Sequence, residues 1–258
     1  MTYAHKQTNN PQAGFTLVEL AIVLVIIGLI VGGVLVGQDL IKSAEVRATI
    51  SQIEKVNAAA TTFRDKHGNL PGDLNNARAA QFGFTPARVA AVGQGDGNNL
   101  IEGNNANTAA VIGEPYMFWS DLSAARLIQE NLAAPTLLTT PGATANLLPT
   151  RGAEGSFVHV YASGGRNFIF IGTPTLAAGV PTINSAGGLS PQQAYTIDTK
   201  LDDGLAGTGS IIPVTAIPAN TLQPAGANTC VVATGYNTVI ANGLQDTPLC
   251  DIAIRASF

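Results

Sequence analysis

The amino-acid sequence predicts an α+β protein in which one long N-terminal helix packs its outer half on an antiparallel β-sheet head. Three observations carry that expectation. Residues Phe15 to Gly37 form an apolar run whose one charge is the carboxylate of Glu19. Residues Gln38 to Lys66 hold neither proline nor glycine, and their apolar positions recur mostly in steps of three and four. Beyond them, short runs rich in β-branched and aromatic residues alternate with Gly-, Pro- and Asn-rich breaks, the pattern of strands and turns.

The apolar run comes first. As a helix it would be about 35 Å long, enough to cross a bilayer. Glu19 near its start would cost several kcal/mol in lipid unless something neutralises it, so its presence points to function. Gly28, Gly32, Gly33 and Gly37 supply two small-xxx-small spacings that let helices approach closely in an apolar medium. The flanks orient the segment weakly: His5 and Lys6 precede it, and the charges after it are balanced, which favours the N-terminus in the cytoplasm and the head outside.

The second half of the helix follows without a break. Leu40, Ala44, Val46, Ile50, Ile53, Val56, Ala60 and Phe63 make one apolar stripe, and Lys42, Glu45, Arg47, Gln52, Glu54 and Lys55 occupy much of the remainder. The segment His67-Gly68-Asn69-Leu70-Pro71-Gly72-Asp73 ends it. Loop chemistry is expected from Leu74 to about Pro115, with turn clusters at Gln94–Asn99 and Gly103–Asn105. A short amphipathic helix is expected over Tyr116–Gln129, with Phe118, Trp119, Leu122 and Leu127 on its buried face. Strands are expected at Phe157–Tyr161, Asn167–Ile171, Ala194–Ile197, Cys230–Val232 and Leu249–Ile254. Residues 131–155 and 205–228 offer no recognisable feature.

Composition narrows the function. Only 12% of the 258 residues are charged, the net charge is −4 and there is no basic block, so nothing argues for nucleic acid. An apolar content of 46% is too high for disorder. The two cysteines, Cys230 and Cys250, lie near the C-terminus, where an oxidising compartment would let them pair; two unrelated buried thiols are the alternative. No catalytic set assembles. His67 and His159 stand apart from any cysteine or carboxylate spacing that suits zinc. Gly207-Thr208-Gly209-Ser210 lacks the lysine and following helix of a phosphate-binding loop. The expectation is no cofactor, with calcium as the one ion worth testing. Asp198, Asp202 and Asp203 before Gly204, and Asp96, Asn98 and Glu102 in a loop, supply hard oxygen ligands. Neither set has EF-hand spacing, and the competing reading is that these side chains cap turns.

The residues Ala13, Gly14, Phe15, Thr16, Leu17 and Glu19, in register with the apolar run, resemble the N-terminal signature of the type IV pilin and type II secretion pseudopilin superfamily. An ordinary signal anchor is the competing reading, but its small-residue cut site would follow the apolar core, whereas here it precedes it. The resemblance implies a leader at residues 1–14, cut after Gly14 by a prepilin peptidase, and methylation of the new N-terminal Phe15. It implies a transmembrane or filament-core half at 15–37, an amphipathic half at 38–67 and a pilin-like head at 68–258 with a C-terminal disulfide loop. It further implies a non-enzymatic subunit in the bacterial inner membrane, head in the periplasm. An inner-membrane assembly platform would build it, with other pilin-like subunits, into a surface pilus or a periplasmic pseudopilus. Glu19 would pair with the Phe15 amine of a neighbour. Phe63–Asp73, Phe118–Leu122 and Ile197–Gly204 are similar to head segments of a bacterial subgroup of these proteins. A minor or tip subunit with an adhesive head is the alternative.

Overall fold

The computed structural model of the protein describes residues 16–84, 95–102, 113–132, 147–153, 155–177, 180–183, 187–216, 223–224, 230–232, 235–238 and 249–258. Gly14, Phe15, Gln94 and the cluster Gly103–Asn105 lie outside these residues. The chain forms two compact units, Met1–Ser43 and Ala44–Phe258.

Helix α1, Leu17–His67, runs through both. In the second unit it buries Val46, Thr49, Gln52, Ile53, Val56, Ala59, Ala60 and Phe63, one face of a 3.6-residue period. Thr49, Thr61 and Thr62 turn their hydroxyls back to the carbonyls of Glu45, Asn57 and Ala58, so these polar groups are satisfied inside the helix. Arg64, Lys66 and His67 place basic groups in the last turn, where the helix dipole favours them. The chain then crosses helix α3, Glu114–Ala124, so closely that a Cβ on Gly72 would meet the carbonyl oxygen of Glu114 at 2.4 Å. The Gly72 amide donates to Asp121 at 2.7 Å, which fixes the crossing.

Two expectations for this region change. Residues 76–81, expected as loop, form helix α2, Asn76–Gln81, capped by the Asn75 side chain accepting from the Arg78 amide. Helix α3 begins two residues earlier than expected and stops at Ala124 instead of reaching Gln129. Arg126 takes a left-handed φ of 56°, and the Leu127 amide closes on the carbonyl of Leu122 at 2.9 Å. The Ser123 hydroxyl then donates to the Glu130 carbonyl and accepts from the Leu132 amide, turning the chain back.

The described residues form ten strands: β1 Leu148–Pro149, β2 Phe157–Ser163, β3 Arg166–Gly172, β4 Pro174–Ala177, β5 Val180–Ile183, β6 Ile211–Ala216, β7 Gln223–Pro224, β8 Val231–Val232, β9 Gly235–Tyr236 and β10 Asp251–Arg255. Six form the main antiparallel sheet in the order β1-β2-β3-β10-β6-β7, and the pairs β4–β5 and β8–β9 stand as small hairpins. The central hairpin turns on Gly164 and Gly165, whose φ values of 56° and 73° suit a two-residue connection between Ser163 and Arg166. Strands β2, β3 and β10 are buried on both faces, which is why they read as continuous apolar runs.

One expected strand is a helix. Ala194–Ile197 lies inside α4, Pro191–Leu201. Its start outweighs its β-branched content. Ser190 accepts from the Gln193 amide, the Gln193 side chain accepts from the Ser190 amide, and Pro191 supplies a helical φ in the first turn. Thr196 and Thr199 bond back to the carbonyls of Gln192 and Tyr195.

Candidate functional site

Thr16 and Glu19 open α1 as a reciprocal cap. The Thr16 amide and hydroxyl both donate to Glu19 Oε2 at 2.8 Å, and the Glu19 amide donates to Thr16 Oγ1 at 3.3 Å. From there to Ile41 every valine, leucine and isoleucine is at least 50% exposed. Such a cylinder exceeds by far the apolar patch a soluble monomer shows to water, so lipid or other apolar helices must cover it. Among the described residues it is the one helix long and apolar enough to cross a membrane. A Cβ on Gly28, Gly32, Gly33 or Gly37 would meet nothing within 4 Å, so these glycines lie on open helix surface.

In the head, Cys230 and Cys250 are bonded to each other with Cα atoms 5.0 Å apart. The bond ties the β8–β9 hairpin to the start of β10, a central strand of the main sheet. Cys250 also pairs with Leu189, just before α4.

The carboxylate oxygens of Asp198, Asp202 and Asp203 lie within 4.8 Å of one another. Their hydrogen bonds close turns. Asp198 accepts from the Gly204 amide at 3.1 Å and the Tyr236 hydroxyl at 2.7 Å. Asp202 accepts from the amides of Ser210 and Ile211. Asp203 accepts from the Leu205 amide at 2.9 Å and the Thr208 hydroxyl at 2.6 Å, which together hold its carboxyl below the usual range. Burial pushes Asp198 up, against the lowering effect of its donors.

The second acidic set differs from the expected one. Asp96 meets Asp73 and Glu114 within 4.8 Å, while Asn98 donates its side-chain amide to Asp96 at 2.9 Å and Glu102 at 3.2 Å. Asp73 holds the loop by accepting from the amides of Gly97 and Asn99, and Glu114 accepts from those of Asp96 and Glu102. Burial, then the nearby Asp73 and Asp96 charges, push Glu114 up to about 8; burial also raises Asp73. Asp251, in β10, is pushed up to about 7 by burial although Oδ1 accepts from the Gly188 amide at 2.9 Å. Sequence reading missed Asp73, Glu114 and Asp251. Their one signal is their type: acids in or beside apolar runs, far apart in the chain.

The histidines pack. His67 sits against the rings of Phe63, Phe82 and Phe84 with centroids 4.4, 4.6 and 5.0 Å away. His159 is fully buried in β2 near Phe157 and Phe170, and burial lowers it to about 3, so it is neutral at physiological pH. Gly207–Ser210 forms the turn that Asp202 and Asp203 hold.

Against known proteins, the prokaryotic N-terminal methylation motif matches residues 9–35. This is the prepilin-type signature of type IV pilins and pseudopilins, and the chain carries it. No curated protein and no solved structure matches the chain. The signature marks a pilin-like or pseudopilin substrate of prepilin peptidase, a structural subunit class, and with the apolar half of α1 it fits membrane anchoring. The α+β architecture, a long apolar N-terminal helix plus an antiparallel sheet, is consistent with a pilin-like fold.

Proposed function

We propose that the protein is a filament subunit, assembled into a type IV pilus or a type II secretion pseudopilus. Residues 1–14 act as a leader that prepilin peptidase removes after Gly14, and Phe15 becomes the methylated N-terminus. The mature chain waits in the inner membrane with its head, residues 68–258, in the periplasm. An inner-membrane platform then moves it into a fibre with other pilin-like subunits. The observation that carries this reading is an apolar helix half, exposed all round, with one carboxylate one turn from its start.

Glu19 acts in register. Within the protomer its oxygen is occupied by its own Thr16. In a fibre core the protonated amine of a neighbour's Phe15 provides the opposite charge, and a mismatched docking leaves a buried charge unpaired at a cost of about 3–5 kcal/mol. Methylation keeps that charge. Calcium is not needed to explain the Asp198, Asp202 and Asp203 cluster, since backbone amides and hydroxyls serve these side chains.

Mass spectrometry of protein purified from cells tests the processing step. The expected species starts at a methylated Phe15, and Gly14→Val keeps the leader. A wild-type mature chain that retains Met1 would end this reading.

A further inference from the structure

Two surfaces of the head have the opposite character of docking partners. The first is a groove of about 380 Å³ whose apolar lining comes from Val56 and Ala59 of α1, Leu127 and Ile128 after α3, and Leu148 of β1. Arg151 at its rim is paired with Glu130 at 3.4 Å, so exposed Lys55 leaves the lining with a net positive charge. The second is the turn after α4. Leu205 is 54% exposed there, one of three large apolar side chains exposed among the described residues of the head. Asp202 and Asp203 stand beside it, with Asp198 close behind. Hydrogen bonds of Asp203 to the Leu205 amide and of Asp202 to Ser210 and Ile211 hold the turn in shape, so little order remains to be imposed on docking.

The placement in the sheet matters as much as the chemistry. The groove borders β1, which is one edge strand, while the turn leads into β6, next to the opposite edge. A protomer therefore carries an apolar groove with a basic rim at one edge and an apolar knob in acidic surroundings toward the other. We propose that the groove of one copy receives the Asp202–Ala206 turn of a second copy, with Leu205 on the apolar lining and the aspartates facing Lys55. Such a contact joins two different surfaces and is heterologous, so it propagates along a helical array instead of closing as a two-fold dimer. This inference rests on the filament-subunit reading and assigns the contact made between heads. Each contact is modest, and repetition along the fibre multiplies it.

The test uses full-length chain in cells that assemble filaments, with processing at Phe15 checked by mass spectrometry for every variant. Ala58 is exposed in the groove, so Ala58→Cys and Leu205→Cys in one chain place a thiol on each surface without touching the turn's hydrogen bonds. Oxidised filaments should give a covalent ladder of trimers and longer species. A mixture of the two single-cysteine chains should stop at dimers, and either alone should stay monomeric. Lys55→Glu should lower filament yield about tenfold, and Lys55→Arg, which keeps the charge, should leave it at the wild-type level. Filaments at wild-type yield from Lys55→Glu, with no ladder from the double-cysteine chain, would overturn the contact and leave the filament reading standing. Dimers from Ala58→Cys alone would overturn it too, since that contact is isologous. A processed wild-type chain that never enters a filament would overturn both readings.

Discussion

Residues Leu17–Ile41 and Ala44–His67 belong to one helix, but only the second stretch finds its solvent within the protomer. In the first, leucine, isoleucine and valine point in all directions and none is less than half exposed. In the second, Val46, Ile53, Val56, Ala60 and Phe63 line up and are buried in the head core. The polar residues obey the same division. Glu19 bonds to its own Thr16, one turn away, whereas Gln52 reaches 97 residues along the chain to donate to the Pro149 carbonyl and also accepts from the Arg151 amide. The stability of one half is thus supplied by whatever surrounds the protein, that of the other by the chain itself. A mutation in each half should therefore be read with a different assay.

The largest expected effect sharpens that division. Phe63→Ala removes a fully buried ring and should cost the head about 3–5 kcal/mol in denaturant melts. Ile27→Ala makes a comparable cut in the apolar half and should leave the same melt unchanged while lowering assembly. Equal shifts in both melts would break the comparison. Next comes the tail. Replacing Cys230 and Cys250 by serine opens a link of sequence separation 20 and should cost about 2–4 kcal/mol, seen as faster proteolysis of the head with processing intact.

The smallest effect is pH. Glu114 and Asp251 are raised from 4.5 and 3.8 to about 8 and about 7. Between those limits the native state binds more protons than the unfolded chain, so stability falls as pH rises. His159 has the opposite sign. Burial lowers it from 6.5 to about 3, so the unfolded chain takes up the proton first and stability falls as pH drops below 6.5. The windows overlap from pH 4.5 to 6.5, where two acids outweigh one histidine, and above pH 6.5 the acids act alone, so head stability should decline from pH 6.5 to 8. Glu114→Gln should flatten that decline by about 1 kcal/mol. Urea melts across pH 5–8 measure it, and a decline unaltered by Glu114→Gln would show that the acid is ionised in the native head.

Much of this division was legible in the sequence. Both halves of α1 follow from hydropathy and period, and β2, β3 and β10 from short runs of Val, Ile and Phe. The strand expected at Ala194–Ile197 failed because Ser190, Pro191 and Gln193 cap a helix more strongly than Tyr195 and Thr196 favour a sheet. Strand β6 escaped notice because Pro213 interrupts it, yet Pro213 pairs with Ile252 in the ladder. The end of α3 depended on a left-handed Arg126, which nothing local announces. Distance along the chain hid the rest. Asp73, Asp96 and Glu114 converge only once α1, a loop and α3 have packed together.

In the proposed fibre the apolar half of α1 is completed by other copies, with Glu19 balancing a neighbour's charge. Filament yield from Glu19→Val under native expression tests it most directly. The substitution removes the one charge of the apolar segment, so membrane insertion and cleavage after Gly14 should survive. The predicted result is a processed, methylated chain that stays in the inner membrane and rarely enters a fibre, with Glu19→Gln failing in the same way. Normal filaments from Glu19→Val would contradict the claim.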